Sequence, residues 1–369
     1  MKNIAVFFGG SSVEHDVSVI TGVLTANSLD KGKFNPLPVY VDYDGKWYTG
    51  EKLLDLDGYK KLDLSGLTRV TLFNGDNTLY RIKSNKKVKP LSKISVAINC
   101  LHGERGEDGS LSGLLCLSEI PLASPSVLPS AISMDKSLTK IVLKGLKVKT
   151  LPSATVNSVN DLDKIINKFK FPLMVKPACL GSSIGIARAD DLTSLKDGIL
   201  SGLRYGEKVI IEPFLQGAIE INCSAYLDGD KVVVSECERP VGGGGMLTFN
   251  DKYRGGKRVF PADIEKQVSD KIKEITKTVY QGLCFSGVIR IDYFVKDSQI
   301  YLNEINSVPG SLAFYLFSDT LKGFSFMLEK LIAQAELEQA RRSTFKRRFD
   351  SGVLLGCGCK GTKKQKKKS

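Results

Sequence analysis

Ile4-Ala-Val-Phe-Phe is a short unbroken apolar run, the pattern of a strand buried on both faces of a parallel sheet. Gly9-Gly-Ser-Ser interrupts it, and residues 13–29 then carry helical periodicity. Strand, Gly-rich turn and helix predict the first half of a doubly wound unit, with a helix N-terminus offered to whatever binds there. The fingerprint G-x-G-x-x-G is absent, so a dinucleotide is not inferred. Ile94-Ser-Val-Ala-Ile-Asn-Cys-Leu predicts a second buried strand, which runs into His102-Gly-Glu-Arg-Gly-Glu-Asp-Gly and a helix over 111–118. Residues 51–90 are polar and turn-rich and predict no element. The Pro- and Ser-rich stretch 121–129 marks a boundary. Beyond it the pattern predicts a helix over 135–146 and strands at 173–176, 186–188 and 209–212, around a second Gly-rich loop, Gly181-Ser-Ser-Ile-Gly185. A helix over 324–338 closes the pattern.

The most informative alternation lies late in the chain. In Val288-Ile-Arg-Ile-Asp-Tyr-Phe-Val a period of two puts Arg290 and Asp292 on one face, and Glu304 and Asn306 repeat that geometry on the next strand, over 299–305. An ordinary polar strand face would show the same alternation. Three oxygen ligands converging from neighbouring strands beside an Arg nevertheless suit Mg²⁺, which takes few protein carboxylates and fills its shell with water and phosphate. Lys176 at a strand end, followed by a Gly/Ser loop, can hold phosphate oxygens without being a Walker A sequence.

The net charge of +13 suggests nucleic acid until it is located. Residues 341–369 carry +10 of it, in a low-complexity tail that ends Lys363-Lys-Gln-Lys-Lys-Lys-Ser. A solvated, disordered terminus is expected, and no nucleic-acid partner. Eight cysteines without a Cys-x-x-Cys pair, beside two His, make zinc improbable; most sit in apolar runs and read as buried in a reducing compartment. No signal peptide and no membrane-spanning run is found, so a cytoplasmic location is expected.

Seven motifs in order change the weighing: Met-Asp-Lys136, Val-Lys176-Pro, Gly181-Ser-Ser-x-Gly, Ile-Glu212, Ile-Glu220, Arg290-Ile-Asp292 and Asn-Glu304-x-Asn306. With Gly9-Gly-Ser-Ser-Val-Glu14, Leu101-His-Gly-x-x-Gly-Glu-Asp-Gly109 and Asn-x-x-Pro-Gly310, the chain to about residue 335 resembles the D-alanine–D-alanine ligase family of ATP-grasp enzymes. The resemblance implies a three-domain α/β architecture: a Rossmann-like N-terminal domain (1–125), a central ATP-grasp subdomain (126–212), a C-terminal subdomain with the metal site (213–338) and the basic tail (339–369). It implies ATP between the last two domains. Lys136, Lys176, Ser183 and Lys252 would serve the phosphates, Glu212 and Glu220 the adenine and ribose. Asp292, Glu304 and Asn306 would ligate two Mg²⁺ (or Mn²⁺). Glu14 would hold the first D-alanine's ammonium, with Ser182 and Tyr253 linked to it. His102 would lie near the reacting carboxylate, and Arg290 and the backbone near Gly310 would face the developing oxyanion. A homodimer is a further family expectation.

Two departures bear on substrate. The candidate lid, Phe249–Gly256, is compact (Asn250-Asp-Lys252-Tyr253) after Gly242-Gly-Gly-Gly245, where the family has an Asp-Tyr pair further ahead of its Lys-Tyr. After Gly310 the chain reads Ser311-Leu-Ala-Phe-Tyr315-Leu316, so that Tyr315 stands where the family commonly places a carboxylate-binding Ser. The hydroxyl of Tyr315 or of Ser311 would serve instead. The acceptor is expected to be D-alanine, with D-serine, D-lactate or another amine as alternatives; a catalytically silent homologue is the reading from another class.

Overall fold

A computed structural model describes residues 1–61, 63–164, 167–241 and 257–353. The first strand, β1 (Lys2–Gly9), is buried from Ile4 onward and lies parallel to both β2 (Phe34–Val41) and β7 (Val96–Asn99). Helix α1 (His15–Ser28) crosses between β1 and β2. It packs so closely that a Cβ on Gly22 would stand 2.2 Å from the Phe8 ring, so the helix reaches the strand only because that position lacks a side chain.

The segment 51–90, expected to form no element, instead holds β4 (Thr68–Phe73), β5 (Asp76–Ile82) and the start of β6 (Val88–Lys93). With β3 (Trp47–Thr49) these extend the sheet as an antiparallel meander, in the order β6-β5-β4-β3-β2-β1-β7. In β4 only the alternate residues Val70 and Leu72 are buried, β5 buries just Thr78 and Leu79, and β6 is an edge strand carrying Lys89, Pro90 and Lys93. Short half-buried strands with charged edges lack the apolar contrast that marks β1.

The second sheet is antiparallel, in the order β10 (Ala187–Ala189), β9 (Leu173–Pro177), β11 (Val209–Pro213), β8 (Ala154–Val156). It is backed by α5 (Leu192–Gly202), whose N-terminus is closed by a capping box between Asp191 and Ser194. The third, also antiparallel, runs β13 (Lys231–Val234), β12 (Ile219–Asp228), β16 (Val288–Lys296), β17 (Gln299–Asn306), covered by α6 (Lys266–Gly282). A small ribbon pairs β14 (Arg239–Val241) with β15 (Lys257–Val259).

The closing helix is longer than expected: α7 runs Leu321–Ser343, five residues into the basic segment, with Thr320 capping its start. Arg341 and Arg342 fall in its last turn, where the helix dipole favours cations, so charge prolongs the helix instead of ending it. Its buried stripe, Phe324, Met327, Leu328, Leu331, Ile332 and Ala335, joins one core with Ile4, Val6 and Phe8 of β1 and with Tyr226 and Val288 of the third sheet. That shared core holds the N-terminal sheet against the segment after β17. Of the described cysteines, Cys100, Cys223 and Cys237 are buried but Cys116, Cys179 and Cys284 are exposed, against the expectation that most are buried. Those three stand on the outer side of a short helix, in a loop and in a positive-φ turn, where an apolar neighbourhood in sequence is not one in space.

Candidate active site

Helix α4 (Lys136–Gly145) begins at Asp135, whose carboxylate accepts the N–H groups of Ser137 at 2.9 Å and Leu138 at 3.2 Å. The cap fixes the helix start against the end of β9, where the Lys136 N–H donates to the Ala178 carbonyl at 2.9 Å. Lys136 and Lys140, one turn apart, then project on the same side. Lys136 Nζ donates to the Leu180 carbonyl at 2.7 Å and pairs with Glu304 at 3.2 Å.

On β9 and β11 the register sets Ile210 against Lys176 and Glu212 against Met174, so all four share one face. Buried Glu212 sits between two ammonium groups, Lys140 at 2.5 Å and Lys176 at 2.8 Å. Burial alone would raise its pKa; Lys176 and Lys140 outweigh that and hold the carboxyl below its ordinary value. Lys140, in turn, is pushed down by burial in spite of Glu212. The charge is thus compensated inside a largely apolar wall. Glu212 and Lys176 line a cleft of about 820 Å³, together with Glu220, Gly181, Ser183, Phe214 and Phe294.

In the third sheet, Arg290 lies opposite Asn306 and Asp292 opposite Glu304, so the four expected side chains do share one face. Asp292 is fully buried, and Arg290 grips it with two parallel bonds at 2.7 and 2.9 Å. The Asn306 amide donates to the same carboxylate at 3.2 Å. A register shift after Asp292 leaves Asn303 without a cross-strand partner. This bulge turns Asn303 and its neighbour Glu304 both into the cleft, where Asn303 accepts from Lys176 at 3.0 Å. Two carboxylates and an amide, presented from adjacent strands, are the donor set a hard cation takes. Among the described residues no group of three or more His, Cys, Asp or Glu forms a metal cage.

The loop 181–185 links the cleft to the N-terminal sheet. Ser182, buried and at φ 52°, donates to the Glu14 carboxylate, and a Cβ on Gly181 would stand 3.3 Å from the same group. Glu14 is buried at the entry to α1, close to Gly103 and so to the His102 loop. His102 is buried; burial, with the Arg290 guanidinium adding to it, pushes its pKa down to about 3, so the ring is neutral. It meets the Thr21 hydroxyl at 3.0 Å, and the Ser311 N–H donates to that hydroxyl at 3.0 Å. Glu107 accepts from the backbone of Gly103 at 3.0 Å and of Val308 at 3.1 Å. Burial, then the nearby Glu14, pushes its pKa up to about 8. The segment Gly310–Leu316 coils as a 3₁₀ turn in which Ser311, Leu312 and Ala313 all have φ near +50°. Such strain in non-glycine residues persists only where the surroundings over-determine it. Tyr315 ends that turn close to Arg290.

The described site therefore gathers Glu14, His102, Lys136, Lys176, Ser182, Ser183, Glu212, Glu220, Arg290, Asp292, Glu304, Asn306, Gly310, Ser311 and Tyr315 around one cleft and its N-terminal wall. Lys252, Tyr253 and the candidate lid lie outside the described residues. Sequence reasoning passed over Lys140, Glu107, Thr21, Arg258 and Asn303. Lys140 was open to inference from its spacing to Lys136, and Glu107 and Asn303 stand inside the quoted motifs; Thr21 and Arg258 carry no local signal.

Comparison with known proteins settles the family. The model for the D-ala D-ala ligase N-terminus matches residues 3–125, and that for the D-ala D-ala ligase C-terminus matches residues 143–335. The chain belongs to the D-ala D-ala ligase family. A D-alanine–D-alanine ligase of Thermosipho melanesiensis is 33% identical over 341 residues, covering 90% of this chain and 93% of that protein. The crystal structure of the D-Alanine-D-Alanine Ligase from Helicobacter pylori superposes with a TM-score of 0.76 at 29% identity, over 90% of this chain and 98% of that one. VanG D-Ala:D-Ser ligase from Enterococcus faecalis aligns equally well, with a TM-score of 0.78 at 28% identity over 90% and 99%. The fold is the ATP-grasp architecture of this family, as the ordered motifs implied. No helix among the described residues is long and apolar enough to cross a membrane.

Proposed function

We propose that this protein is an ATP-dependent ligase that joins two D-alanines through a D-alanyl phosphate, supplying peptidoglycan precursor synthesis. A carboxylate is a poor acyl donor because its oxygen leaves badly. Attack of the donor carboxylate on the γ-phosphorus breaks the bond to ADP and makes an acyl phosphate. Attack of the acceptor amine on that acyl carbon then forms the peptide and expels phosphate. Catalysis of the first step is mainly positioning and charge neutralisation.

In this reading Lys136, Lys176, Ser183 and the lid residue Lys252 hold the phosphates, while Glu212 and Glu220 serve adenine and ribose. Asp292, Glu304 and Asn306 hold Mg²⁺ (two ions, or Mn²⁺), which when bound neutralises phosphate charge. Arg290 and Lys136 turn their charge to the reacting oxygens, with the Gly310 backbone as second oxyanion donor. Glu14, oriented by Ser182 and joined by Tyr253, binds the donor ammonium, and neutral His102 orients the donor carboxylate. Ser311 and Tyr315 face the acceptor. Residues 1–125, 126–212 and 213–338 act as the three domains, with 339–369 as an accessory tail; the protein works in the cytoplasm as a homodimer, by family analogy.

The observation that carries the reading is the contact of Ser182 with Glu14. One loop lines the nucleotide cleft and at the same time touches the carboxylate offered to an ammonium, so phosphate and amino acid meet there. The test is D-alanine-dependent ADP release with ATP and Mg²⁺, with the product mass measured in the same reaction. A D-alanyl-D-alanine mass is expected. ADP release without that dipeptide would refute D-alanine as acceptor, and no ADP with any D-amino acid would refute the activity.

A further inference from the structure

Tyr315 does not stand alone. Arg258, on β15, donates from Nη1 to the Tyr315 carbonyl at 3.3 Å, and its guanidinium lies 5.1 Å from the centre of the Tyr315 ring. The same guanidinium also lies 5.2 Å from the centre of the Phe260 ring. Nη1 also donates to Glu238 at 3.2 Å, and Glu238 is only 4% exposed. Glu238 in turn accepts from the Asn222 amide at 3.2 Å, on the strand that pairs with Arg290 and Asp292. Tyr315 itself lies close to Arg290. A continuous chain of contacts therefore runs from β12 through Glu238, Arg258 and Tyr315 back to the Arg290–Asp292 pair.

Three features make this more than surface packing. The turn that carries Tyr315 has three consecutive non-glycine residues at positive φ, a shape that relaxes unless something holds both its ends. Ser311 at one end is held by Thr21; Arg258 grips the other. A planar guanidinium can stack on a ring and hydrogen-bond a carbonyl and a carboxylate at once, which an ammonium cannot do. Finally, Tyr315 and Arg290 lie beside one another, and both stand outside the lining of the nucleotide cleft.

We propose that Arg258 is a positioning residue that sets the acceptor subsite, by clamping Tyr315 so that its hydroxyl and the Arg290 guanidinium together meet the carboxylate of the second amino acid. The inference rests on the ligase reading above and assigns the acceptor side of that reaction to a residue pair, Arg258 and Tyr315. Loss of the clamp frees the turn; it leaves the donor and nucleotide contacts, which involve neither residue, as they are.

The experiment compares wild type, Arg258→Ala, Arg258→Lys and Tyr315→Phe. D-alanine saturation is resolved into its two Michaelis constants, and KM for ATP and melting temperature are measured alongside. Expected is a rise of about tenfold in the second D-alanine KM for each variant, equivalent to ~1.4 kcal/mol, with the first D-alanine KM and the ATP KM unchanged. Combining Arg258→Ala with Tyr315→Phe should raise the second KM no further than Tyr315→Phe alone, since the clamp acts through the hydroxyl that Phe lacks. Arg258→Lys keeps the charge and the fold, so it remains informative if the alanine variant is unstable. An unchanged second KM in Arg258→Lys and Tyr315→Phe would overturn the inference while leaving the ligase reading intact. Both KM values and the ATP KM moving together would also overturn it, as the mark of a structural role. A wild type that releases ADP but makes no D-alanyl dipeptide would remove the reading itself, and the inference with it.

Discussion

On the nucleotide side of the cleft, Lys176 and Glu212 meet because two regular antiparallel strands hold them in register, and Asp292 meets Glu304 the same way one sheet further on. On the amino-acid side, Glu14, Ser182, His102, Thr21, Ser311 and Tyr315 come from loops and helix ends of separate units, several in left-handed backbone. The first side stores its charges as internal pairs: Glu212 between Lys140 and Lys176, Asp292 against Arg290, Glu304 against Lys136. The second side relies on single hydrogen bonds between elements far apart in sequence, Ser182 to Glu14 and both His102 and Ser311 to Thr21. A charged ligand can enter the first by exchanging ion partners, at little reorganisation of backbone. The second has to be assembled, and its specificity rests on a few positions that any one substitution can loosen.

The comparison breaks most sharply at β16 and β17. Asp292→Asn combined with Glu304→Gln removes the carboxylates while keeping shape, and D-alanine-dependent ADP release should fall by about 10³-fold or more. Retained turnover would show that these strands hold charge pairs for the fold alone. A smaller effect separates the two lysines that share Glu212. Lys176 also reaches Asn303 in the cleft, whereas Lys140 turns back to the Leu151 carbonyl at 2.7 Å. Lys176→Ala should therefore raise the ATP KM by about tenfold or more, as expected for one charge-assisted bond of ~1.5–3 kcal/mol. Lys140→Ala should instead lower unfolding stability with a lesser change in that KM. Equal effects on KM would erase the distinction.

The smallest effect concerns the amino-acid side and pH. The folded pKa of His102 lies at about 3 against an ordinary 6.5, so between those values the unfolded chain takes up a proton that the folded protein does not. Stability from this group is complete above pH 6.5 and is lost as pH falls toward 3, with a slope of at most ~1.4 kcal/mol per pH unit. In urea unfolding across this range, His102→Asn should show a shallower decline than wild type. An unchanged slope would mean that the ring is solvated.

How much of this was legible in sequence varies by element. Strand β1, helix α1 and the strands β16 and β17 were readable because two-sided or one-sided burial writes a period into the residues themselves. Residues 51–90 were not, because an edge meander buries few positions and interrupts them with lysine and proline. The site residues were named from motif order and resemblance, while their partners were not: nothing near Thr21 or Arg258 in the chain marks either as a neighbour of the segment after Gly310.

Sequence by itself determined the family, the ordered ligand-bearing motifs and the period-two face that carries Arg290, Asp292, Glu304 and Asn306, since these depend on local repeats and spacing. Only the tertiary structure decided that a bulge at Asn303 turns two successive residues into one cleft, that Glu212 is shared by two lysines, and that Arg258 stands over Tyr315. Those are contacts between residues tens to hundreds of positions apart, set by how sheets and the α7 core pack, and no local pattern in the chain records them.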